Sequence, residues 1–171
     1  MMPQILRPHY HLFVDGSSSR KDDVGAWAAI VATTTQRKIL YGVNYPTTIS
    51  RMELVPIIEG LRWIKKQGPT NNVRVITLSD SEYTVKTLCG LYPRHKNDDL
   101  WKAYDEAARG LQIKFIWRER NSLDYMEMCD GICNTLRRIV IDSLTKALGD
   151  ARNLENLVAA SPLPEDTEVV K

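Results

Sequence analysis

The first third of the chain alternates short apolar runs with polar turns, a pattern typical of β-strands. Residues 10–15 send apolar side chains to both faces, residues 24–34 are rich in Val, Ile and Ala, and residues 39–45 alternate around a central glycine. Residues 34–37 would form the turn of a hairpin, although they lack the Asn-Gly pair of a tight turn. The pattern predicts three consecutive strands.

The apolar period changes to that of a helix over residues 51–67. Its apolar positions lie on one face: Leu54, Ile57, Ile58, Leu61 and Ile64. Gly68 and Pro69 predict its end. Pro56 lies inside the helix, where it removes one backbone donor.

The remaining segments predict a mixed sheet. They are a strand over 73–79, a helix over 81–91, a helix over 98–110, a strand over 112–117 and a helix over 127–148. Three consecutive strands favour antiparallel pairing, and a strand reached through a helix favours parallel pairing. We therefore expect an α/β fold with a mixed five-stranded sheet, three antiparallel plus two parallel strands, flanked by helices.

Charge divides the chain into a body and a tail. The 171 residues carry 23 Lys+Arg and 21 Asp+Glu, a net charge of +2, which excludes a strongly basic nucleic-acid coat. Residues 1–148 carry +5 and residues 149–171 carry −3. We expect one domain over 1–148, then a short helix over 151–160 and an acidic, disordered tail from Ser161.

Cysteine content and hydropathy suggest a compartment. Three cysteines, an odd number, argue against a disulfide framework and fit a reducing environment. No apolar run approaches the roughly 20 residues of a membrane span, and no secretory leader is visible. We expect a cytoplasmic monomer without membrane association.

Four carboxylates follow or open the predicted elements. Asp15 and Asp80 end strands, whereas Glu53 and Asp130 lie near the starts of helices. In the predicted topology these positions can converge, and four converging carboxylates repel one another unless a cation neutralises them. Oxygen ligands without paired His or Cys favour Mg²⁺ or Mn²⁺ over zinc.

Each carboxylate also has a structural interpretation. Asp15 can start a turn, and Asp80 can cap the next helix. Ser50 and Glu53 match the capping box, and the sequence supports this capping role of Glu53 as well as a catalytic one. Asp130 can favour a helix dipole. The joint pattern, rather than any single residue, favours a metal site.

The motifs that carry these residues resemble a known family. The segments FVDGSSS, TISRMELVPIIEGL, ITLSDSEY and QIKFIWRERNSLDYMEMCD follow the order and spacing of the type 1 ribonuclease H family. The resemblance implies the ribonuclease H-like fold and two Mg²⁺ ions, with Mn²⁺ as an alternative, held by Asp15, Glu53, Asp80 and Asp130. It also implies hydrolysis of the RNA strand of RNA–DNA hybrids, which leaves 5′-phosphate and 3′-hydroxyl ends.

The resemblance also implies further site residues. Candidate substrate contacts are the backbone of Gly16, Ser17 and Ser18 and the side chains of Ser17, Ser50 and Arg51. Many members carry a histidine that assists proton transfer before the fourth carboxylate. Asn121 takes that place here, and an amide cannot shuttle a proton near neutral pH.

Two further departures bear on substrate affinity. Ile49 replaces an asparagine that touches the substrate backbone in the family. The lysine-rich insertion of many bacterial members is absent between Ser81 and Asp99, which leaves Lys86, Arg94, His95 and Lys96 as the basic cluster. We expect weak, salt-dependent hybrid binding.

Two other functions stay open at this stage. One is another nuclease or strand-transfer enzyme of the ribonuclease H-like superfamily. The other is a catalytically weak nucleic-acid-binding module of the same fold. The sequence also leaves open a polymerase or reverse transcriptase partner.

Overall fold

The computed structural model of the chain describes residues 9–160 and contains five strands and four helices. In chain order they are β1 (His9–Ser18), β2 (Gly25–Ala32), β3 (Arg37–Asn44), α1 (Ile49–Lys65), β4 (Arg74–Ser79), α2 (Glu82–Leu88), α3 (Asp98–Ala108), β5 (Gln112–Trp117) and α4 (Asp124–Ala160). This order of strands and helices is the one predicted.

The five strands form one mixed sheet in the order β3-β2-β1-β4-β5. β1 pairs antiparallel with β2, and β2 pairs antiparallel with β3. β1 pairs parallel with β4, and β4 pairs parallel with β5. The predicted fold class is therefore confirmed, because short turns join the antiparallel strands and helical crossovers join the parallel ones.

Helices cover both faces of the sheet. On one face α1 packs its apolar stripe against β1 and β2, together with Tyr104 and Ala107 of α3. On the other face Met126, Cys129 and Cys133 of α4 pack against the alanine-rich side of β2. Strand β2, which lies between β3 and β1, is buried on both faces, and this explains its continuous apolar sequence.

A close backbone approach joins β1 to the start of α1. A Cβ placed on Gly16 would lie 2.3 Å from the carbonyl oxygen of Met52 and 2.8 Å from the amide nitrogen of Glu53. Pro56 has no N–H to donate to that Met52 carbonyl, so the oxygen lacks its usual helical partner. Glycine at position 16 is therefore what brings the beginning of α1 against β1.

The last helix is longer than the sequence predicts. α4 runs for 37 residues without a break, so the separate short helix predicted over 151–160 is wrong. Gly149, which favours a helix end in the sequence, lies within the exposed part of α4. The predicted acidic tail from Ser161 lies outside the described residues, and the division into a domain over 1–148 and a tail stays a prediction.

Within residues 9–160, no helix combines the length and the apolarity that a membrane crossing needs.

The approach at Gly16 predicts a large effect of one added methyl group. We expect Gly16→Ala to lower the free energy of unfolding by about 1–3 kcal/mol, because the new Cβ meets backbone atoms that cannot move aside. Urea denaturation followed by circular dichroism measures this change.

Gly131→Ala is the matched control. In the described part of the chain nothing lies within 4 Å of a Cβ at this helical position. Alanine should therefore stabilise α4 there by up to about 1 kcal/mol. Equal effects of the two substitutions would contradict the close approach at Gly16.

Candidate active site

The register of two parallel strands brings Asp15 and Asp80 together. Phe13 is paired with Leu78, and each aspartate follows two residues later in its own strand direction. The indole Nε1 of Trp117 donates to the backbone carbonyl of Asp80 at 3.0 Å, which fixes the end of β4. Asp15 lies within β1, which continues to Ser18, and not in the turn that the sequence also allowed.

Glu53 reaches the same end of the sheet from α1. Its Oε2 accepts hydrogen bonds from the hydroxyl of Ser81 at 2.7 Å and from the hydroxyl of Thr84 at 3.0 Å. Both donors belong to the start of α2, so Glu53 is held between two helices. Ser81 is also the N-cap of α2, which leaves Asp80 free of the capping role.

The capping-box interpretation of Ser50 and Glu53 is wrong. α1 begins at Ile49 with Thr48 as its N-cap, two residues before the predicted start. Ser50 therefore lies inside the first turn, and Glu53 lies in the second turn rather than the first. The carboxylate of Glu53 bonds to α2 instead of to the helix end.

Asp130 comes from the other face of the sheet. It lies nearly two turns inside α4, not at the helix start as predicted, because α4 begins at Asp124. The thiols of Cys129 and Cys133 donate to the backbone carbonyls of Phe13 and Asp15 at 3.6 and 3.4 Å. These buried contacts hold the Asp130 turn of α4 against β1.

Burial and mutual repulsion perturb the carboxylates. Burial, together with the charges of Asp80 and Asp130, raises the pKa of Asp15 to about 7, against an opposing hydrogen bond from the Gly16 amide. Burial also raises the pKa of Asp80, although the nearby Arg120 opposes the change. Burial likewise raises the pKa of Glu53 despite its two hydroxyl donors. The site therefore holds carboxylates that need a cation.

The donor atoms fit a hard divalent ion, although they are not arranged around one. Within residues 9–160, no group of three or more Asp, Glu, His or Cys side chains has a geometry ready to hold a metal. However, Oδ2 of Asp15 is buried without a hydrogen-bond partner in the described part of the chain, an unfavourable state for a carboxylate oxygen. An oxygen-binding cation would satisfy this atom.

Arg120 is a site residue for which the sequence favoured only a solvated, mixed-charge loop, with a partial role in the site as the lesser alternative. Its guanidinium forms an ion pair with Oδ1 of Asp130, and its charge also acts on Asp15 and Asp80. In the sequence it is one of several charges in a mixed-charge loop, ten residues from Asp130. Residues three or four apart in a helix, or opposite each other in paired strands, can be matched from the sequence. The pairing of Arg120 with Asp130 cannot, because Arg120 lies in a loop without a regular period.

Asn121 has a conformational role in this structure. It is the third residue of a turn closed by a hydrogen bond from the Ser122 amide to the Glu119 carbonyl at 3.1 Å. Its φ is 53°, and asparagine tolerates a positive φ at this position better than most residues. Its side chain forms no hydrogen bond within the described residues. Its catalytic role stays a prediction.

Two of the predicted substrate contacts face α4. The hydroxyl of Ser17 lies 3.5 Å from Oδ1 of Asn134, and the carbonyl of Ser18 accepts from Arg137 at 3.4 Å. Gly16 faces the backbone of α1, as described above. The three residues lie on the part of β1 that follows Asp15, so they border the carboxylates.

The other two predicted contacts lie at the start of α1. Arg51 forms a bidentate pair with Asp99 at 2.6 and 3.0 Å and also bonds to Asn97. The Ser50 hydroxyl lies 3.2 Å from that of Thr48. Arg51 therefore already has an acidic partner, and the role of both residues in substrate binding stays a prediction.

Solved structures identify the class of fold. The chain resembles an N-terminal RNase H domain from Mycobacterium tuberculosis, solved as a fusion with maltose-binding protein, with a TM-score of 0.70 and 20% identity over 80% of this chain and 99% of that chain. It also resembles LC11-RNase H1, solved in complex with an RNA/DNA hybrid, with a TM-score of 0.64 and 13% identity over 77% of this chain and 99% of that chain. These similarities define a ribonuclease H-like fold.

Sequence comparison narrows the class to one family. The RNase H family model matches residues 7–134. Ribonuclease H of Cupriavidus metallidurans is 32% identical over 137 residues, which cover 72% of this chain and 91% of that protein. Ribonuclease H of a Sulfurovum species is 34% identical over 148 residues, which cover 81% and 97%. The chain belongs to the ribonuclease H family.

The raised pKa of Asp15 predicts how stability depends on pH. Asp15 ionises near 3.8 in the unfolded chain and near 7 in the metal-free fold. Its protonated form therefore stabilises the fold fully below pH 3.8, and this contribution is lost as the pH rises through 7. We expect Asp15→Asn, which carries no charge, to unfold at higher urea concentration than the parent at pH 8 in chelator, by about 1 kcal/mol or more.

Urea titrations of both proteins from pH 5 to pH 8 measure this difference. The advantage of Asp15→Asn should grow with pH and should shrink when Mg²⁺ is added. A variant less stable than the parent at pH 8 in chelator would contradict the repulsion between these carboxylates.

Proposed function

We propose that this member of the ribonuclease H family hydrolyses the RNA strand of RNA–DNA hybrids, using two Mg²⁺ ions held by Asp15, Glu53, Asp80 and Asp130. The observation that carries the proposal is the convergence of these carboxylates at one end of the sheet, where a buried oxygen of Asp15 lacks a partner among the described residues. The names of the relatives and the hybrid bound by LC11-RNase H1 support the choice of substrate. Products would carry 5′-phosphate and 3′-hydroxyl ends.

Each carboxylate has a distinct part in this proposal. Asp15 lies among the others, as its interactions with Asp80 and Asp130 indicate, so it is the residue best placed to share both ions. Glu53 is held in one orientation by the Ser81 and Thr84 hydroxyls, which reduces the cost of ordering it on binding. When bound by these carboxylates, divalent ions would supply a water of lowered pKa and would stabilise the charge on the departing 3′-oxygen.

The loop that carries Asn121 contains no histidine that could assist proton transfer there. The sequence contains three histidines, His9, His11 and His95. His9 and His11 lie at the beginning of β1, whereas Asp15 lies beyond its middle. His95 lies in the loop before α3. Asn121 cannot substitute for an imidazole, because its amide does not ionise near neutral pH.

The last residues of β1 would make contacts to the backbone of the hybrid. Gly16, Ser17 and Ser18 follow Asp15 on β1, and their backbone groups and hydroxyls would contact a 2′-hydroxyl and its phosphate there. Such contacts distinguish RNA from DNA without reading bases. Ser50 and Arg51 would contribute from α1 if Arg51 exchanged Asp99 for a phosphate.

A catalytically weak nucleic-acid-binding module is the alternative function. The pairing of Arg120 with Asp130 favours it, because a protein cation occupies a carboxylate that the metal proposal requires. Another nuclease of the same superfamily would keep the metals and differ in substrate. A single cleavage assay with several nucleic acids distinguishes both alternatives from the main proposal.

We expect Asp15→Asn to lower the rate of hybrid cleavage by at least about 100-fold, because the substitution removes the charge that both ions share. The assay uses labelled RNA–DNA hybrid, double-stranded RNA and double-stranded DNA, with Mg²⁺, Mn²⁺ or chelator. Asp150→Asn, an exposed position on α4 far along the chain from the site, is the matched control and should retain the parent rate.

Three results would contradict the proposal. Equal cleavage by Asp15→Asn and the parent would exclude the metal role of Asp15. Cleavage of another nucleic acid in preference to the hybrid would favour a different nuclease. Hybrid binding without cleavage in Mg²⁺ and Mn²⁺ would favour the binding module.

Two cations of the basic cluster, Lys86 and Arg94, already have acidic partners. Arg94 pairs with Asp105 at 2.8 Å and stacks over the ring of Trp101, and Lys86 pairs with Glu82 at 2.7 Å. These pairs offset much of the positive charge that remains where many relatives carry a lysine-rich insertion.

We therefore expect hybrid affinity to be weak and, because phosphate contacts carry most of it, to depend on salt. Phosphate contacts release counterions, so a plot of the logarithm of affinity against that of salt concentration should have a slope near −1 for each contact. Fluorescence anisotropy in Ca²⁺ or chelator, between about 50 and 200 mM salt, measures this slope. Nanomolar affinity that is indifferent to salt would contradict this prediction.

The remaining expectations from the sequence stay predictions. They are the cytoplasmic location, the monomeric state and a polymerase or reverse transcriptase partner.

A further inference from the structure

A short turn aims Arg120 at the carboxylates. The loop after β5 is anchored by the Arg118 amide, which donates to the Ser79 carbonyl at 3.0 Å. The turn that follows is closed between Glu119 and Ser122, with Asn121 at its positive φ. Arg120 is therefore the second residue of a turn whose backbone is held at both ends, and its side chain projects from a defined position.

The guanidinium of Arg120 lies among the carboxylates. It pairs with Oδ1 of Asp130, and its charge opposes the rise in the pKa of both Asp15 and Asp80. It therefore does in the metal-free site part of what a metal ion would do. The two partners are not equally fixed: the side chain of Arg120 is 64% exposed, whereas that of Asp130 is 19% exposed.

We propose that Arg120 is a tethered cation that competes with a divalent ion for Asp130 and leaves this carboxylate when the ion binds. The inference rests on the proposed metal site. A carboxylate oxygen that accepts a guanidinium N–H cannot at the same time approach Mg²⁺ to about 2.1 Å along the same direction. The guanidinium and a divalent cation bound to the same carboxylate would also repel each other.

Because the Arg120 side chain is largely exposed, it can leave Asp130 at a small cost in free energy. Its stem is mostly in solvent, so leaving Asp130 costs the ion pair and little packing. Arg120 therefore acts as a positioning residue, which holds Asp130 and relieves repulsion until the ion replaces it. Metal affinity is lowered by the competition, because only the fraction of molecules with a free Asp130 binds fully.

The competition predicts tighter metal binding when Arg120 is removed. An exposed ion pair contributes up to about 1 kcal/mol, and 1.4 kcal/mol corresponds to a tenfold change in affinity, so we expect Arg120→Ala to bind Mn²⁺ up to about fivefold more tightly. Arg120→Gln, which is neutral but keeps a longer side chain, should show the same gain. Isothermal titration calorimetry of the full chain, without substrate, measures this affinity independently of cleavage.

Two matched variants separate direct competition from a general charge effect. Arg118→Ala removes the same charge from the same loop, but the Arg118 side chain bonds to the Trp117 carbonyl and not to a carboxylate. It should change the affinity for Mn²⁺ by less than Arg120→Ala. In an Asp130→Asn background, Arg120→Ala should no longer increase the affinity, since the contested carboxylate is absent.

Several outcomes would overturn the inference. They are equal or weaker Mn²⁺ binding by Arg120→Ala, an equal gain in Arg118→Ala, or a gain that persists in the Asp130→Asn background. Failure of the metal site itself gives a different result, because the parent and Arg120→Ala would then both bind no Mn²⁺. Circular dichroism of each variant confirms that it is folded.

Discussion

The burial of carboxylates that lie close together is the constraint on which the described site depends. Asp15 is the most perturbed of them, because burial and, to a smaller extent, the nearby charges of Asp80 and Asp130 raise its pKa to about 7. One oxygen of Asp15 is buried without a partner among the described residues. The metal-free fold would therefore be more stable if a neutral group replaced this carboxylate. Such a carboxylate persists only where the surrounding structure holds it and where its charge is used.

The scaffold holds each carboxylate by a separate device. Parallel pairing of β1 with β4 brings Asp15 and Asp80 side by side. The glycine at position 16 allows α1 to approach with Glu53, and the hydroxyls of α2 then fix that side chain. Two buried thiols hold α4 against β1, and Arg120 pairs with the carboxylate that α4 supplies. The packing of helices on both faces of the sheet thus offsets the repulsion between carboxylates at one end of the sheet.

The element order was predictable because it depends on local patterns, and so was the placement of Asp15 and Asp80 near the ends of apolar strands. Strand alternation, the helical period and acidic residues after apolar runs are all visible in neighbouring positions. The start of α1 was not, since Thr48 and Ser50 are both acceptable caps and only packing decides between them. Glu53 finds its donors 28 and 31 residues away, and Arg120 finds Asp130 across a loop, so neither pairing follows from a periodic pattern.

Anomalous diffraction from crystals of the full chain grown with Mn²⁺ tests the central claim most directly. The account predicts two anomalous peaks bounded by Asp15, Glu53, Asp80 and Asp130, with an oxygen of Asp15 near both and Arg120 withdrawn from Asp130. An absence of peaks at these residues under saturating Mn²⁺, with Arg120 still paired to Asp130, would contradict it.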